Sequence, residues 1–377
     1  MNYQPLDTDF SRKLIERAGL GEIQEKIDAQ ERLSFDDGMK LYETPHLAAV
    51  GALAHQVRTR LHGDKAYFNN NLHINYTNVC QYSCKFCAFA AKEGDERGYT
   101  MEGEDVEKKL REYDDLAPTE VHMVAGIHPK KGYDYYLEMV RACKRARPDI
   151  HVKAFTMVEI DHMLKISGKS EEEVFQDLRD VGLGSLPGGG AEVLTDRVHK
   201  ATFRDKLGPQ EWLDTARKVQ KAGFKMNATL LYGHIERTEE RVTHLEKLRE
   251  LQDECGNFMA FIPLAFWPFH TGLSRHGHVT TGHMDLRNIA VGRLMLDNFP
   301  NIKAYWIMMT RNAAQTALSF GANDLDGTVS EEKITHDAGT TEPEVLGKSE
   351  LVHLIREAGY TPVQRTTTYE EIEVVTA

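Results

Sequence analysis

Three cysteines stand close enough together in the chain to hold metal as a unit. Cys80, Cys84 and Cys87 are separated by three and two residues in the run NYTNVCQYSCKFCAF. A cluster held by four cysteines is coordinatively complete and suits electron transfer. Three thiolates on one loop can instead ligate three irons of a cubane and leave the fourth iron open to a substrate. The spacing therefore predicts a [4Fe–4S] cluster with one open iron.

Two simpler metal sites fit the same cysteines. A structural zinc site would need a fourth ligand, for which His62 and His73 are near in sequence. A plain electron carrier would recruit Cys143 or Cys255 as its fourth ligand. We expect a structural role for both of these cysteines, because Cys143 lies among apolar residues of a predicted helix and Cys255 closes another. A non-catalytic iron–sulfur or zinc protein is thus the alternative from a different functional class.

Composition excludes several other classes. The 377 residues carry a net charge of −12 without a long basic run, which argues against a nucleic-acid partner. The apolar stretch 47–54 is far shorter than the roughly 18 residues of a membrane span. No basic segment followed by an apolar one opens the chain, so no secretory signal is predicted. Clustered cysteines favour metal binding in a reducing compartment, the cytoplasm.

The elements that must position the cysteines alternate between short apolar runs and amphipathic stretches, as in parallel α/β proteins. Eight strands are predicted at 72–77, 120–126, 151–157, 182–188, 225–233, 258–266, 302–309 and 317–323. Helices are predicted between them at 103–116, 133–147, 170–181, 209–222, 238–255 and 283–299, with a shorter connection at 310–316. We predict a closed (β/α)8 TIM-like barrel over residues 67–329, an N-terminal helical cap over 1–66 and a C-terminal extension over 330–377 that packs on the barrel. The extension should hold a helix near 348–359 and a final extended segment.

The cysteine loop with its aromatic Phe86 resembles the radical S-adenosylmethionine (SAM) superfamily. The resemblance implies that SAM occupies the open iron and is cleaved to a 5′-deoxyadenosyl radical. It also implies that Phe86 lies near the adenine. Ala125 and Gly126 follow the second strand where this superfamily has two glycines that receive the methionine amino group. A plain turn at the end of the strand is the alternative for this pair.

The resemblance is closest to the aminofutalosine synthase family of menaquinone biosynthesis. The segments that carry it are KAFTMVEI (153–160), LPGGGAE (186–192), LYGHIER (231–237), FIPLAFWP (261–268) and IKAYWIM (302–308). It implies a transferase that adds the deoxyadenosyl radical to 3-[(1-carboxyvinyl)oxy]benzoate and releases bicarbonate, giving 6-amino-6-deoxyfutalosine and methionine. A reducing donor such as flavodoxin or ferredoxin is implied as well. Cyclic dehypoxanthine futalosine synthase and the deazaflavin-forming radical SAM synthases are the alternatives within the superfamily.

Further ligand contacts are expected where the predicted strands end, because the loops there form the working face of such barrels. Gly188, Gly189 and Gly190 would bring backbone N–H groups against SAM or a substrate carboxylate. Glu159 and Glu236 would accept from ribose hydroxyls. A tight turn is the alternative for the glycines and a solvated surface position for the two acids.

The two carboxylates of the implied substrate call for cationic or N–H partners. Arg275 and Arg311 are the candidates at strand ends, with His234 and His270 close behind, and one histidine would handle a proton. A surface salt bridge is the alternative for either arginine. The aromatic residues of 304–309 and 266–269 would form a wall against the benzoate ring or part of the barrel core.

Overall fold

The computed structural model describes residues 8–275 and 278–375 of the chain. The first seven residues of the predicted cap and the last two of the predicted extension lie outside this description. The cap is helical, as predicted. Its helices are α1 (Thr8–Arg17), α2 (Gly21–Asp28), α3 (Phe35–Glu43) and α4 (Leu47–His62). Ser34 begins α3 with a capping box, accepting from the Asp37 amide while Asp37 accepts from the Ser34 amide.

A short strand that the sequence reasoning missed, β1 (Lys65–Asn69), follows the cap, and a seven-stranded parallel sheet begins after it. The sheet contains, in chain order, β2 (Asn71–Ile74), β3 (Glu120–Met123), β4 (His151–Ala154), β5 (Leu183–Leu186), β6 (Lys225–Tyr232), β7 (Phe258–Ala265) and β8 (Asn301–Ile302). Each strand pairs with the next one along the chain. This is the order that successive right-handed βα units produce.

Helices connect these strands and cover the outside of the sheet. They are α5 (Gly103–Glu112), α6 (Tyr133–Ala146), α7 (Met157–Ile166), α8 (Glu171–Asp180), α9 (Asp196–Thr202), α10 (Pro209–Lys221), α11 (Thr238–Cys255), α12 (Gly282–Met295), α13 (Trp306–Met309) and α14 (Arg311–Ala317). The sequence did not predict α7 and α9. Thr156, assigned to a strand, is in fact the N-cap of α7, where its hydroxyl accepts from the Glu159 amide.

The two edges of the curled sheet are joined by residues 323–330, which include a short strand of a second sheet, β9 (Asp324–Gly327). The Asn323 amide donates to the Ile302 carbonyl at 3.1 Å, and the His73 amide donates to the Ser330 carbonyl at 2.8 Å. Parallel bridges join Lys303 to Asp324 and Leu72 to Ser330. This segment takes the place of an eighth strand, so the predicted α/β barrel class is confirmed.

Two predicted strands are wrong in detail. Residues 317–323 hold the end of α14, a 3-10 turn (Leu318–Phe320) and Gly321 in a left-handed conformation; the strand β9 (Asp324–Gly327) comes after them. Residues 302–309 leave the sheet after Ile302 and form α13 from Trp306, whose indole N–H donates to the Gly327 carbonyl at 2.8 Å. A short apolar run does not by itself distinguish a strand from a buried helix.

A second sheet joins β1, which follows the cap, to strands near the C-terminus. Helices α15 (Ile334–Asp337) and α16 (Lys348–Glu357) precede β10 (Thr361–Arg365) and β11 (Glu371–Val374), in agreement with the predicted helix and extended segment. The strand order is β11-β10-β1-β9, with β1 parallel to both β10 and β9. The division into three domains stays a prediction. In the described part of the chain, no helix is both long and apolar enough to cross a bilayer.

Candidate active site

A central cavity of about 320 Å³ lies inside the curled sheet, with the cysteine loop at one side. Its wall is mainly apolar, with a small number of polar and charged side chains, as in most small-molecule sites. The polar and cysteine side chains on the wall are His73, Cys80, Tyr82, Cys84, Cys87, His122, Lys153, Thr156, Glu192, Lys206, Thr229, Tyr305, Asp326, Glu332 and Thr335. The cavity therefore brings the cysteines together with charged groups from distant parts of the chain.

The cysteine loop follows β2 and is held by hydrogen bonds to its own backbone amides and carbonyls. The Cys80 amide donates to the Ala91 carbonyl at 2.9 Å. The Lys92 ammonium donates to three successive carbonyls, those of Cys80, Gln81 and Tyr82, at 3.1, 3.1 and 2.7 Å. These bonds close the loop so that Cys80, Cys84 and Cys87 all line the cavity as free thiols.

The surroundings of the sulfur atoms suit an iron–sulfur cluster. The Ile127 amide donates to Cys80 Sγ at 3.4 Å, and the amides of Ala90 and Phe89 bond the Cys87 sulfur. Such N–H···S bonds stabilise sulfur atoms that carry negative charge on a cluster. Burial raises the pKa of Cys84 to about 12 and also raises the pKa of Cys87. Binding iron would therefore release protons from these thiols.

The residues of the alternative metal sites are arranged differently. Cys143 is fully buried and its thiol lies 3.4 Å from the Met123 sulfur, while His62 bonds the Pro300 carbonyl at 2.9 Å. Neither they nor Cys255, the last residue of α11, line the cavity, and only His73 does. Within residues 8–275 and 278–375, no three or more His, Cys, Asp or Glu side chains are grouped to hold one metal ion. A cubane makes a different demand, since each thiolate binds a separate iron.

Phe86, Ala125 and Gly126 line the same cavity as the cysteines, and their contacts with SAM stay a prediction. A Cβ atom on Gly126 would lie 2.7 Å from the Val79 carbonyl oxygen and 3.0 Å from Cys80 Cβ. Only glycine therefore lets the end of β3 approach the cysteine loop this closely. The Phe86 ring packs edge-on against Phe203, with 5.8 Å between the ring centroids.

The three glycines after β5 divide into two roles. Gly189 and Gly190 line the cavity. Gly188 lies outside it with φ of +75°, and a Cβ there would be 1.7 Å from the Asn227 carbonyl oxygen. The Gly188 backbone packs directly on β6 and permits the tight turn there, while Gly189 and Gly190 face the cavity.

The two predicted ribose acceptors are buried outside the cavity wall. Glu159 accepts from the Tyr76 hydroxyl at 2.5 Å and from the Thr156 amide at 2.7 Å. Glu236 accepts from the Gly233 amide at 2.6 Å and from Nε of Arg241 at 2.8 Å. Both carboxylates thus hold the loops after β4 and β6 in place.

The four predicted catalytic residues also lie away from the wall of the cavity. Arg311 pairs with Glu342 at 2.9 Å and Glu350 at 2.7 Å, which is the salt-bridge alternative, and Arg275 is exposed. His270 is exposed and its ring Nδ1 bonds the Asp337 carbonyl at 2.9 Å. His234 lies directly behind the cavity wall, because its buried ring packs against Phe266, a residue of that wall.

A buried ion pair that the sequence reasoning missed lies beside the cysteines. Lys206 Nζ is 2.5 Å from Glu192 Oε1, and it is 5.1 Å from the centroid of the Phe86 ring. Burial lowers the pKa of Lys206, but the attraction of Glu192 and the neighbouring sulfurs outweighs it, so the pKa lies above its ordinary value. Lys206 therefore carries a positive charge into the cavity.

A row of polar side chains on three strands was also missed. His73, His122 and Lys153 are direct partners across β2, β3 and β4, and all three line the cavity. A signal was present, because parallel strands buried on both faces are normally near-continuous apolar runs. NLHIN, EVHMV and HVKAF instead have a polar residue at alternate positions.

Comparisons with known proteins agree with this geometry. Residues 74–248 match the model of the radical SAM superfamily, and residues 255–377 match the CofH/MqnC C-terminal region. The crystal structure of methylornithine synthase (PylB) has a TM-score of 0.70 at 16% identity and covers 90% of this chain and 97% of that chain. The hydrogenase maturase HydG has a TM-score of 0.71 at 15% identity, over 97% of this chain and 81% of that chain. At these low sequence identities, both structural similarities show a shared fold.

Three curated relatives are similar over nearly the whole chain. An aminodeoxyfutalosine synthase of Thermus thermophilus is 45% identical over 93% of this chain and 95% of that protein. One of Streptomyces coelicolor is 42% identical over 93% of each. A cyclic dehypoxanthine futalosine synthase of Halalkalibacterium halodurans is 37% identical over 93% of this chain and 94% of that protein. The chain therefore belongs to the radical SAM superfamily and, within it, to the family with the CofH/MqnC C-terminal region that includes the aminodeoxyfutalosine synthases.

Proposed function

We propose that this chain is an aminodeoxyfutalosine synthase. It joins the 5′-deoxyadenosyl group of SAM to 3-[(1-carboxyvinyl)oxy]benzoate, takes up water, and releases methionine and bicarbonate with 6-amino-6-deoxyfutalosine. The observation that carries the proposal is the 45% identity to a synthase of this name along almost the full length of both chains. The cysteine loop on a central cavity supports the radical part of the reaction.

Cys80, Cys84 and Cys87 are the proposed ligands of the [4Fe–4S] cluster. When bound, the cluster supplies the electron that cleaves SAM to the radical which attacks the alkene. Phe86, Ala125, Gly126, Gly189 and Gly190 are the proposed SAM contacts, since they line the cavity that the three cysteines also line.

Lys206 is the proposed partner of the SAM carboxylate. It is the cation next to Phe86 and the thiols, and its side chain is only 6% exposed. A buried ammonium binds a carboxylate more strongly than an exposed one because water competes less. Glu192 keeps the ammonium protonated and oriented.

The rest of the cavity wall is suited to contain a reactive radical. Leu231, Ile262, Leu264, Phe266 and Trp267 face it from β6, β7 and the loop after β7. These side chains exclude water, which strengthens the electrostatic contacts of the few polar groups. Trp267 is held in place by its indole N–H, which donates to the Met308 carbonyl at 2.7 Å.

A reduced donor such as flavodoxin or ferredoxin is the proposed partner, and the cytoplasm the proposed location. A one-electron donor of low potential is what a [4Fe–4S] cluster of this kind needs. Five cysteines without a disulfide between them fit a reducing compartment.

The test is product analysis with anaerobically reconstituted protein, SAM, a chemical reductant and 3-[(1-carboxyvinyl)oxy]benzoate. Mass spectrometry should find a product that contains both the benzoate and the deoxyadenosyl group, with methionine in equal amount. Free 5′-deoxyadenosine as the main nucleoside, with the benzoate unchanged, would contradict the proposal. The same mixture with dehypoxanthine futalosine tests the activity named for the 37% identical relative.

A further inference from the structure

The three-strand row of His73, His122 and Lys153, called the donor row below, has a regular geometry. His73 opposes His122 and His122 opposes Lys153 in the parallel register of β2, β3 and β4. Residues that oppose one another in this way project from the same face of a sheet. The two imidazole rings are stacked, with 4.4 Å between their centroids and 27° between their planes.

The donor row holds ring nitrogens that lack a partner. His73 Nε2 and His122 Nδ1 are both buried, and neither has a hydrogen-bond partner in the part of the chain that the structure describes. His73 is 3% exposed. Burial lowers the pKa of both histidines, so each ring is neutral with one N–H to donate. Buried polar atoms are nearly always satisfied, and because both histidines line the cavity, a polar ligand against this wall could pair groups that the described protein atoms leave unpaired.

The positive charge of Lys153 in the donor row is compensated by the buried carboxylate of Glu120. Lys153 Nζ lies 2.5 Å from Glu120 Oε1. The other oxygen of Glu120 accepts from Asn69 at 2.9 Å and from Thr367 at 2.7 Å. An ammonium has three N–H donors, so Lys153 retains donors for a group in the cavity.

Two acids on the cavity wall, Asp326 and Glu332, already accept hydrogen bonds from other parts of the protein. Asp326 Oδ1 accepts from Lys303 at 2.7 Å. Glu332 accepts from the Thr335 amide with both oxygens at 3.0 Å. Asp326 is thus paired with a cation and both Glu332 oxygens already accept hydrogen bonds, so neither acid has a free oxygen directed at the row, although both share the cavity wall with it.

The position of the donor row sets the direction of a ligand. His122 lies in β3 four residues before Gly126, whose Cα packs on the cysteine loop. Because β3 ends at Met123, one residue after His122, the row lies within the sheet, deeper in the cavity than the cysteine loop against which Gly126 packs. A ligand held by the row at one end would present its other end to the cysteines.

We propose that the donor row binds the ring carboxylate of the substrate, the one that the product keeps, so that the enol-ether end points to the cysteine loop. This inference rests on the proposed function, which supplies a substrate with two carboxylates. One of them is lost as bicarbonate during the reaction. A firm hold on the other keeps the ring in place while the bonds at the opposite end change.

The test compares a carboxylate with its carboxamide on the reconstituted holoenzyme. Ligand-detected NMR and calorimetry measure the binding of 3-methoxybenzoate and 3-methoxybenzamide, which contain no alkene. Turnover is measured with 3-[(1-carboxyvinyl)oxy]benzoate and its ring carboxamide. We expect the wild-type protein to bind the carboxylate at least about tenfold more tightly, because a site of buried donors rejects an analogue that leaves them unsatisfied.

His122→Phe keeps the ring stack and removes the donor, and His122→Asn is a milder second variant. His122→Phe should lose the preference for the carboxylate and raise KM for the benzoate about tenfold with less change in kcat. His122→Asn keeps N–H donors on a shorter side chain and should show the same changes to a smaller extent. Lys153→Met should be combined with Glu120→Gln so that no unpaired acid stays buried. His162→Phe is the matched control, because His162 packs on Tyr136 outside the cavity and should keep the preference.

Equal binding of carboxylate and carboxamide by the wild-type protein would overturn the inference. So would an unchanged preference in folded His122 variants. If the wild-type protein prefers the carboxylate but forms no aminodeoxyfutalosine, the donor row is supported and the proposed function fails. If it forms the product without this preference, the proposed function stands and the donor row fails.

Discussion

Lys206 and Glu192 form an ion pair inside the cavity, with 2.5 Å between Nζ and Oε1 and side chains that are 6% and 12% exposed. The pair lies against the Phe86 and Phe203 rings, whose centroids are 5.1 and 4.7 Å from the ammonium. It connects the loop after β5 to the segment after α9, two parts of the chain that flank the cysteine loop.

Replacing Lys206 with Met should weaken SAM binding, since the only cation beside the thiols on the described cavity wall is lost. We expect KM for SAM to rise at least about tenfold, with a smaller change in the cluster content. The change in the electron paramagnetic resonance spectrum of the reduced cluster on adding SAM gives a direct readout. Breaking a buried pair also costs about 3–5 kcal/mol of stability, so Lys206→Met with Glu192→Gln is the control for folding. Unchanged SAM affinity in both variants would remove Lys206 from the site.

Cys84→Ser should abolish the cluster and with it the turnover, because two thiolates do not hold a cubane stably. Iron and sulfide analysis of the anaerobically reconstituted protein and its visible absorption give the measurement. Cys255→Ser is the matched control: this cysteine ends α11 away from the cavity, and its variant should retain the full iron content. A Cys84→Ser protein with wild-type iron would contradict the assignment.

Gly188→Ala should destabilise the fold strongly. The new Cβ would lie 1.7 Å from the Asn227 carbonyl oxygen, in a residue whose φ is +75°. Gly223→Ala separates the two effects, because Gly223 has φ of +88° with no atom within 4 Å of the new Cβ. We expect a cost of about 1 kcal/mol at Gly223 from the backbone alone and at least about 3 kcal/mol at Gly188. Urea unfolding midpoints measure both, and equal costs would show that the turn relaxes.

Glu159 should make the protein less stable as the pH rises from about 4.5 to about 7. Burial raises the pKa of Glu159 from 4.5 to about 7, although bonds from Tyr76 and Thr156 oppose the shift. Between these two values the folded state binds more protons than the unfolded state, so the free energy of unfolding falls with rising pH. Glu159→Gln should flatten this part of the profile. A wild-type slope of the opposite sign after subtraction of the Glu159→Gln profile would contradict the prediction.

The alternation of apolar runs and amphipathic helices predicted the barrel class, and helix α11 begins and ends where its pattern indicated. The eighth strand was misplaced. The chain there is held by bonds to strands far away in sequence, such as that from the His73 amide to the Ser330 carbonyl. Local propensity carries no information about such partners. The helix α7 was missed because its cap, Thr156, continues an apolar run that resembles a strand.

The cluster loop was predictable because its chemistry is local. Three thiols at fixed short spacing can reach one cluster in almost any compact loop, so the types and spacing of Cys80, Cys84 and Cys87 suffice. Arg311 and Glu236 were chosen for their charge and their position after a strand, but other side chains of the fold already neutralise them.

The sequence by itself therefore determined the fold class and the metal-binding loop, because periodicity and close spacing are properties of neighbouring residues. The family was indicated by the resemblance of longer segments such as 153–160 and 261–268. The tertiary structure alone decided which charges face the cavity. Lys206 meets Glu192, and His73, His122 and Lys153 form one row, only because curvature of the sheet and the register of three strands bring them together. Burial and pairing, which set whether a charged group is free to bind a ligand, depend on such distant contacts.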